Sequence, residues 1–114
     1  MPAEKIVITF RTRLNPGYEA ELTALGTRMY ELAASMPGFL LYQDFAASDG
    51  EFLTLVEFDT AEHLAAWRMH PEHVAAQKLG REKYFSWYKI QVCQLLREYE
   101  VSTGSGLRYA VIKY

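Results

Sequence analysis

Between Lys5 and Leu14 the chain alternates with a period of two: Ile6, Ile8 and Phe10 fall on one face, Thr9, Arg11 and Arg13 on the other. That pattern is a β-strand, and the next segment has a different period. After the Asn15-Pro16-Gly17 turn, Tyr18, Leu22, Leu25, Met29, Leu32 and Met36 recur every three or four residues, the stripe of an amphipathic helix. Gly26 weakens that helix by roughly 1 kcal/mol relative to alanine without breaking the pattern. Met36-Pro37-Gly38 ends it, because proline cannot continue a helix and glycine tolerates the turn beyond.

Two β-rich runs come next, Phe39 to Ala46 and Glu51 to Asp59, joined through Ser48-Asp49-Gly50 as an antiparallel hairpin. Thr60 suits the N-cap of a short helix carrying Leu64 and Trp67, and Pro71 opens a further helix reaching about Tyr84. From Phe85 to Val101 the alternation returns, with Tyr88, Ile90, Val92, Gln94 and Leu96 set against Trp87, Lys89, Gln91, Cys93 and Leu95. As a single strand this run would span on the order of 50 Å, far beyond the ~20 Å of ordinary strands. Part of it is therefore expected to leave the parent sheet. Ser102-Thr103-Gly104-Ser105-Gly106 reads as a flexible connection, and Leu107 to Tyr114 as one more β-like run.

The order β-α-β-β-α-α-β-β fits an α+β, ferredoxin-like sandwich with helices on one face of an antiparallel sheet. With 114 residues, half of them apolar, the chain supports one core and one domain, 1–114. The second sheet face carries enough aromatic side chains to call for cover, and a homodimer with facing sheets supplies it. The segment 107–114 is expected to reach across to the partner.

Twelve basic and fourteen acidic side chains leave a formal charge of -2, no basis for a nucleic-acid partner. The apolar runs are too short to cross a membrane, and Met1 to Phe10 lacks the basic start and apolar stretch of a secretory signal, so a cytoplasmic location is expected. A single cysteine, Cys93, makes no internal disulfide and reads as a small buried hydrophobe on a β-run. Two histidines three apart, His70 and His73, without a third ligand do not make a metal site, so no metal is expected. Gly104-Ser105-Gly106 does not open a helix and offers no phosphate loop, so no flavin or nicotinamide cofactor is expected either.

His73, Gln77, Gly80 and Tyr84 lie at i, i+4, i+7 and i+11, within a narrow arc of one helix face. His70 precedes that helix, and His63 and Trp67 lie one turn apart on the helix before it. Imidazole, indole, amide and phenol thus gather beside a cleft between helices and sheet, a setting for a planar aromatic ligand. A histidine with an ordinary pKa near 6.5 removes a phenolic proton at neutral pH. Each residue also has a structural reading: His70 as a helix cap, His73 as a solvated first-turn residue, Trp67 as core. Tyr30, Tyr42 and Tyr88 serve equally as pocket walls or interface residues, and Arg11 and Arg13 as an anion site or a solvated strand face.

Met36-Pro37-Gly38-Phe39, Asp49-Gly50-Glu51, Glu57-Phe58, Trp67 to His73 and Gly80-Arg81 together resemble the antibiotic biosynthesis monooxygenase-like family of the dimeric α/β-barrel superfamily, from about Lys5 to Glu100. The resemblance implies a homodimer and a cofactor-independent reaction in which a bound phenol, anthrone or quinol is deprotonated and its anion reacts with dioxygen to give a quinone. On that basis Trp67, Gln77, Tyr42 and Tyr88 are the expected substrate contacts. His70 or His73 takes the proton, and Tyr84 or Gln77 hydrogen-bonds the oxyanion. A non-catalytic dimer that binds a small aromatic metabolite in the same pocket is the alternative. The heme-degrading branch of the family uses a first-strand asparagine and a histidine ten residues after the tryptophan. Here those positions hold Phe10 and Gln77, and a neutral amide is a poor iron ligand, so heme degradation is not expected.

Overall fold

The computed structural model describes residues 5–102. Its elements are β1 (Ile6–Leu14), α1 (Glu19–Ser35), β2 (Phe39–Ala46), β3 (Phe52–Phe58), α2 (Ala61–Arg68), α3 (Pro71–Leu79), a π-helical turn (Gly80–Tyr84) and β4 (Phe85–Gln94). The four strands form one antiparallel sheet in the order β2-β3-β1-β4. Helices lie on one face, which is the α+β ferredoxin-like arrangement that the order of periodicities predicts.

Local chemistry accounts for the boundaries. At the end of α1, Gly38 adopts φ +79°, and a Cβ there would collide with the side chains of Asp59 and His63, so glycine is required on both counts. Thr60 caps α2 by accepting a 3.1 Å hydrogen bond from the His63 N–H. Pro71 opens α3, with His70 as its N-cap. No helix of the described residues is long and apolar enough to cross a membrane.

Register decides which side chains meet the helices. Ile6 pairs with Phe58 and Ile8 with Val56, and these four close a core against Met29, Leu32 and Ala33 of α1 and Leu64 and Trp67 of α2. Phe58 is completely buried. On the far side of β1 the same face continues through Phe10, Tyr88, Ile90 and Val92, since Phe10 pairs with Ile90 and Ile8 with Val92. Cover fails there: Tyr88, Ile90 and Val92 are 40%, 48% and 61% exposed.

Two expectations are revised. Part of the last long run does leave the parent sheet, as its length implies, but it does not continue as a strand to Val101: β4 stops at Gln94, and residues 95–102 have no regular structure. A strand persists only where a neighbour satisfies its backbone, and β1 is the sole partner of β4 among the described residues. That partner begins at Ile6, which faces Gln94, and a final hydrogen bond from Leu95 N–H to Lys5 O, 2.9 Å, ends the ladder. Cys93 is exposed rather than buried, because it pairs with Val7 on the face of the sheet away from the helices. The expected run 107–114 lies outside the described residues.

Candidate functional site

The open half of the helix-facing surface contains a cleft of about 100 Å³ lined by Phe10, Gln77, Arg81, Phe85, Tyr88 and Ile90. Its wall is an aromatic triangle: ring centroids lie 5.4 Å apart for Phe10 and Phe85, 6.2 Å for Phe10 and Tyr88, and 6.1 Å for Phe85 and Tyr88. These edge-on and tilted contacts leave ring faces and edges available to a further planar group. Gln77 and Arg81 supply the polar groups from the end of α3 and the turn after it. Gln77 also borders a second groove of about 330 Å³, with Arg68, Met69 and Val74.

The π-helical turn shapes the first cleft. The Phe85 N–H bonds to the Gly80 carbonyl, five residues back, so the turn holds one residue more than an α-helical one. The Phe85 ring then folds onto Gly80, where an added Cβ would lie 2.5 Å from a ring carbon. The same turn carries Tyr84 away from Gln77, so the single arc expected from i, i+4, i+7 and i+11 does not persist through it. Tyr84 is instead buried at the start of α1, its ring against Tyr18 and its hydroxyl donating to Glu21 Oε2 at 3.2 Å. Burial and the Glu21 carboxylate push its pKa upward.

His70 and His73 are used in opposite ways. The His70 Nδ1 accepts the Glu72 N–H at 3.1 Å, so in neutral His70 the proton sits on Nε2 and the only lone pair is already engaged. The His73 Nδ1 lies 3.1 Å from the Arg68 carbonyl, which can only accept, so this nitrogen carries the proton and Nε2 keeps a free lone pair. The ring is half-buried rather than solvated, stacked at a tilt on Trp67 with centroids 4.2 Å apart. Burial pulls its pKa below the ordinary 6.5.

Trp67 is a core residue, 6% exposed, stacked also on Phe58 at 5.6 Å. Its indole Nε1–H is buried and has no acceptor among the described residues. An orphaned donor of this kind costs ~1–3 kcal/mol. Neither Trp67 nor His73 lines the cleft itself; Gln77, one turn along α3 from His73, connects the two groups. Tyr42 is elsewhere, packed on the core beside Tyr30 with ring centroids 5.6 Å apart, and burial drives its pKa to about 12, so it remains a neutral phenol.

The structure thus brings together Gln77 with Tyr88, and Trp67 with His73, while His70, Tyr84 and Tyr42 hold other parts of the fold. Arg11 and Arg13 do not form an open anion site: Arg11 makes a two-pronged pair with Glu51 at 2.6 and 3.0 Å, and Arg13 bonds Asp49 at 2.8 Å. Sequence reasoning missed Phe10, Arg81, Phe85 and Ile90 as cleft residues. The register between β1 and β4 was the missing link, since only that pairing sets Phe10 beside Ile90. It also missed Asp59, whose Oδ1 lies 2.6 Å from His63 Nδ1 above Gly38. The i,i+4 spacing of Asp59 and His63 was the available signal. Among the described residues no three His, Cys, Asp or Glu side chains converge as a metal site.

Comparison with known proteins places this geometry. The chain is 35% identical over 71 residues to the uncharacterized protein YqjZ of Bacillus subtilis (strain 168), and it spans about 62% of that relative's length. Among solved structures, Rv0793 from Mycobacterium tuberculosis superposes with a TM-score of 0.75 at 18% identity, covering 84% of this chain and 99% of that one. SnoaB, described as a cofactor-independent oxygenase from Streptomyces nogalater, gives a TM-score of 0.70 at 13% identity, covering 84% of this chain and 97% of its own. At such identities the likeness is one of fold. The sequence pattern of the family described as antibiotic biosynthesis monooxygenase matches residues 5–79, from the start of β1 to the end of α3, and the chain belongs to that family.

Proposed function

We propose that this chain is a cofactor-independent monooxygenase acting on a small phenolic or quinol-type ring with dioxygen. The observation that carries this reading is the Trp67–His73 pair. A half-buried neutral imidazole with a free lone pair stacks against a buried indole N–H that lacks an acceptor. Those are the two functions a phenol oxidation asks of a protein: a base for the hydroxyl proton and a donor for the oxyanion left behind.

In this reading the ring lies against Phe10, Phe85 and Tyr88, oriented by the Gln77 amide, and reaches toward His73. Proton transfer from the phenol to His73 Nε2 leaves a phenolate whose charge spreads over the ring. The phenolate gives its electrons to dioxygen, a carbon–oxygen bond forms para to the hydroxyl, and the resulting hydroperoxide loses water. One oxygen atom stays in the quinone and the other leaves in the water, so phenol and dioxygen account for every atom. The cleft is smaller than the ~300–1,000 Å³ of drug-sized sites, which favours one ring over a fused set. Because Tyr88, Ile90 and Val92 remain exposed beyond it, a longer ligand has apolar surface on which to continue.

A homodimer is part of the proposal, with the outer sheet face as the contact: Phe45 and Trp87 are exposed there beside Leu53 and Leu55. A non-catalytic binding dimer is the second reading, favoured by one observation, that the cleft lining includes neither His73 nor Trp67.

Oxygen uptake with metal-free protein and a panel of phenols, quinols and anthrones separates the two. The enzyme reading expects turnover that falls ~100-fold in Trp67→Phe, which keeps the stack and loses the donor, and at least as far in His73→Gln. Trp67→Phe should leave stability within ~1 kcal/mol, because removing an orphaned polar group offsets the lost packing. Ring binding without oxygen uptake at any pH would leave the binding dimer; uptake unchanged in both variants would remove the assigned base and donor.

A further inference from the structure

We infer that the ring this cleft accepts carries an anionic group, a carboxylate or its equivalent, held by Arg81; the inference rests on the reading of the Phe10–Tyr88 cleft as the ligand site. The composition of the cleft lining, one guanidinium and no carboxylate beside three aromatic rings, points to it. Several cations elsewhere are answered by carboxylates: Lys5 by Glu57 at 2.7 Å, Arg11 by Glu51 at 2.6 Å, Arg13 by Asp49 at 2.8 Å, Arg28 by Glu72 at 2.6 Å and Lys83 by Glu21 at 3.0 Å. Arg81 and Arg68, like Lys78, Lys89 and Arg97, form no ion pair among the described residues, but they alone of these cations line the two depressions that meet at Gln77.

The lining of those depressions contains no carboxylate. In a chain with more acidic than basic side chains, the two arginines beside the clefts are thus left without a counterion among the described residues. Beside an aromatic wall that accepts a ring, a guanidinium has the planar donor geometry that matches a carboxylate in two parallel hydrogen bonds. Gln77 borders both depressions and donates through its amide, adding a neutral hydrogen bond to the same anion.

The test uses three probes: 2,5-dihydroxyphenylacetate, its neutral primary amide of nearly the same shape, and hydroquinone, the parent ring without the side arm. Binding is measured calorimetrically without oxygen, at low salt, on the full chain. The expected result is that the acid binds about tenfold tighter than the amide, the scale of one charge-assisted contact. Arg81→Gln should bring acid and amide within about twofold, weakening the acid far more than hydroquinone. Arg68→Gln should preserve the gap, and Phe85→Ala should weaken all three probes.

Equal binding of acid and amide to the unaltered chain, with hydroquinone still bound, overturns the anion inference and leaves the cleft reading standing. A gap that survives Arg81→Gln and vanishes in Arg68→Gln overturns the assignment to Arg81. Failure of all three probes to bind overturns the inference together with the cleft reading.

Discussion

The sheet face beneath the helices is built in two halves that differ in how they are closed. Over β3 and the start of β1, α1 and α2 drive Met29, Leu32, Ala33, Leu64 and Trp67 into Ile6, Ile8, Val56 and Phe58, and solvent is excluded. Over β4 and the rest of β1, α3 buries none of its own residues fully, and the strand's apolar side chains stay partly wet. The difference begins in the helices. α1 repeats large apolar side chains at helical spacing, whereas Pro71–Leu79 offers two alanines, polar residues and only Val74 and Leu79 as large aliphatic side chains, both exposed, too little to seal a sheet. A face left open for want of a helical stripe is where the proposed ligand would complete the packing.

The sharpest way to break this division is to truncate one aromatic in each half. Phe58→Ala should cost ~3–5 kcal/mol in chemical denaturation, the effect of a cavity in a closed core. Tyr88→Ala should cost under ~1 kcal/mol yet weaken ring binding. Similar losses at the two positions would mean that the halves are not distinct.

Gly80 sits at the border between them. Gly80→Ala sets a methyl group against the Phe85 ring, and the ring must move. A destabilisation of ~1–3 kcal/mol, accompanied by loss of hydroquinone binding, is expected. Retained binding would show that Phe85 does not shape the cleft.

The smallest effect concerns pH. Burial lowers the His73 pKa in the folded chain below 6.5, so the unfolded chain takes up the proton first as pH falls. Its contribution to stability is full above about 6.5 and is lost as pH falls through the folded value. Urea midpoints followed downward from neutrality should fall less steeply in His73→Gln than in the unaltered chain. Proton abstraction should show the same acid limb, with kcat/KM level through neutrality and declining below the ordinary histidine range.

The closed half was legible in the amino-acid order and the open half only in outline. Alternation in Lys5–Leu14, the stripe from Tyr18 to Met36, the Ser48-Asp49-Gly50 hairpin, Thr60 and Pro71 are local signals, and each element they announce is present. What failed depended on partners distant in sequence. Alternation from Phe85 to Val101 reports side-chain spacing and says nothing of whether a neighbouring backbone exists, so it could not place the end of β4 at Gln94. The arc from His73 to Tyr84 assumed 3.6 residues per turn throughout, and the turn held open where Phe85 packs on Gly80 breaks that count. The two histidines shared one sequence context and acquired opposite hydrogen-bonding roles from a single backbone amide and a single carbonyl.

Placement of the chain's one thiol has an experimental consequence. Cys93 lies on β4 with its side chain on the face opposite the clefts, so a label attached there reports on that side of the sheet and leaves the ligand side chemically untouched. Its rate of alkylation records how much of the outer face is accessible to reagent, and a fluorophore on it would register approach of a second surface. The same strand therefore carries a reporter on one side and the wall of the aromatic cleft on the other, separated only by the thickness of the sheet.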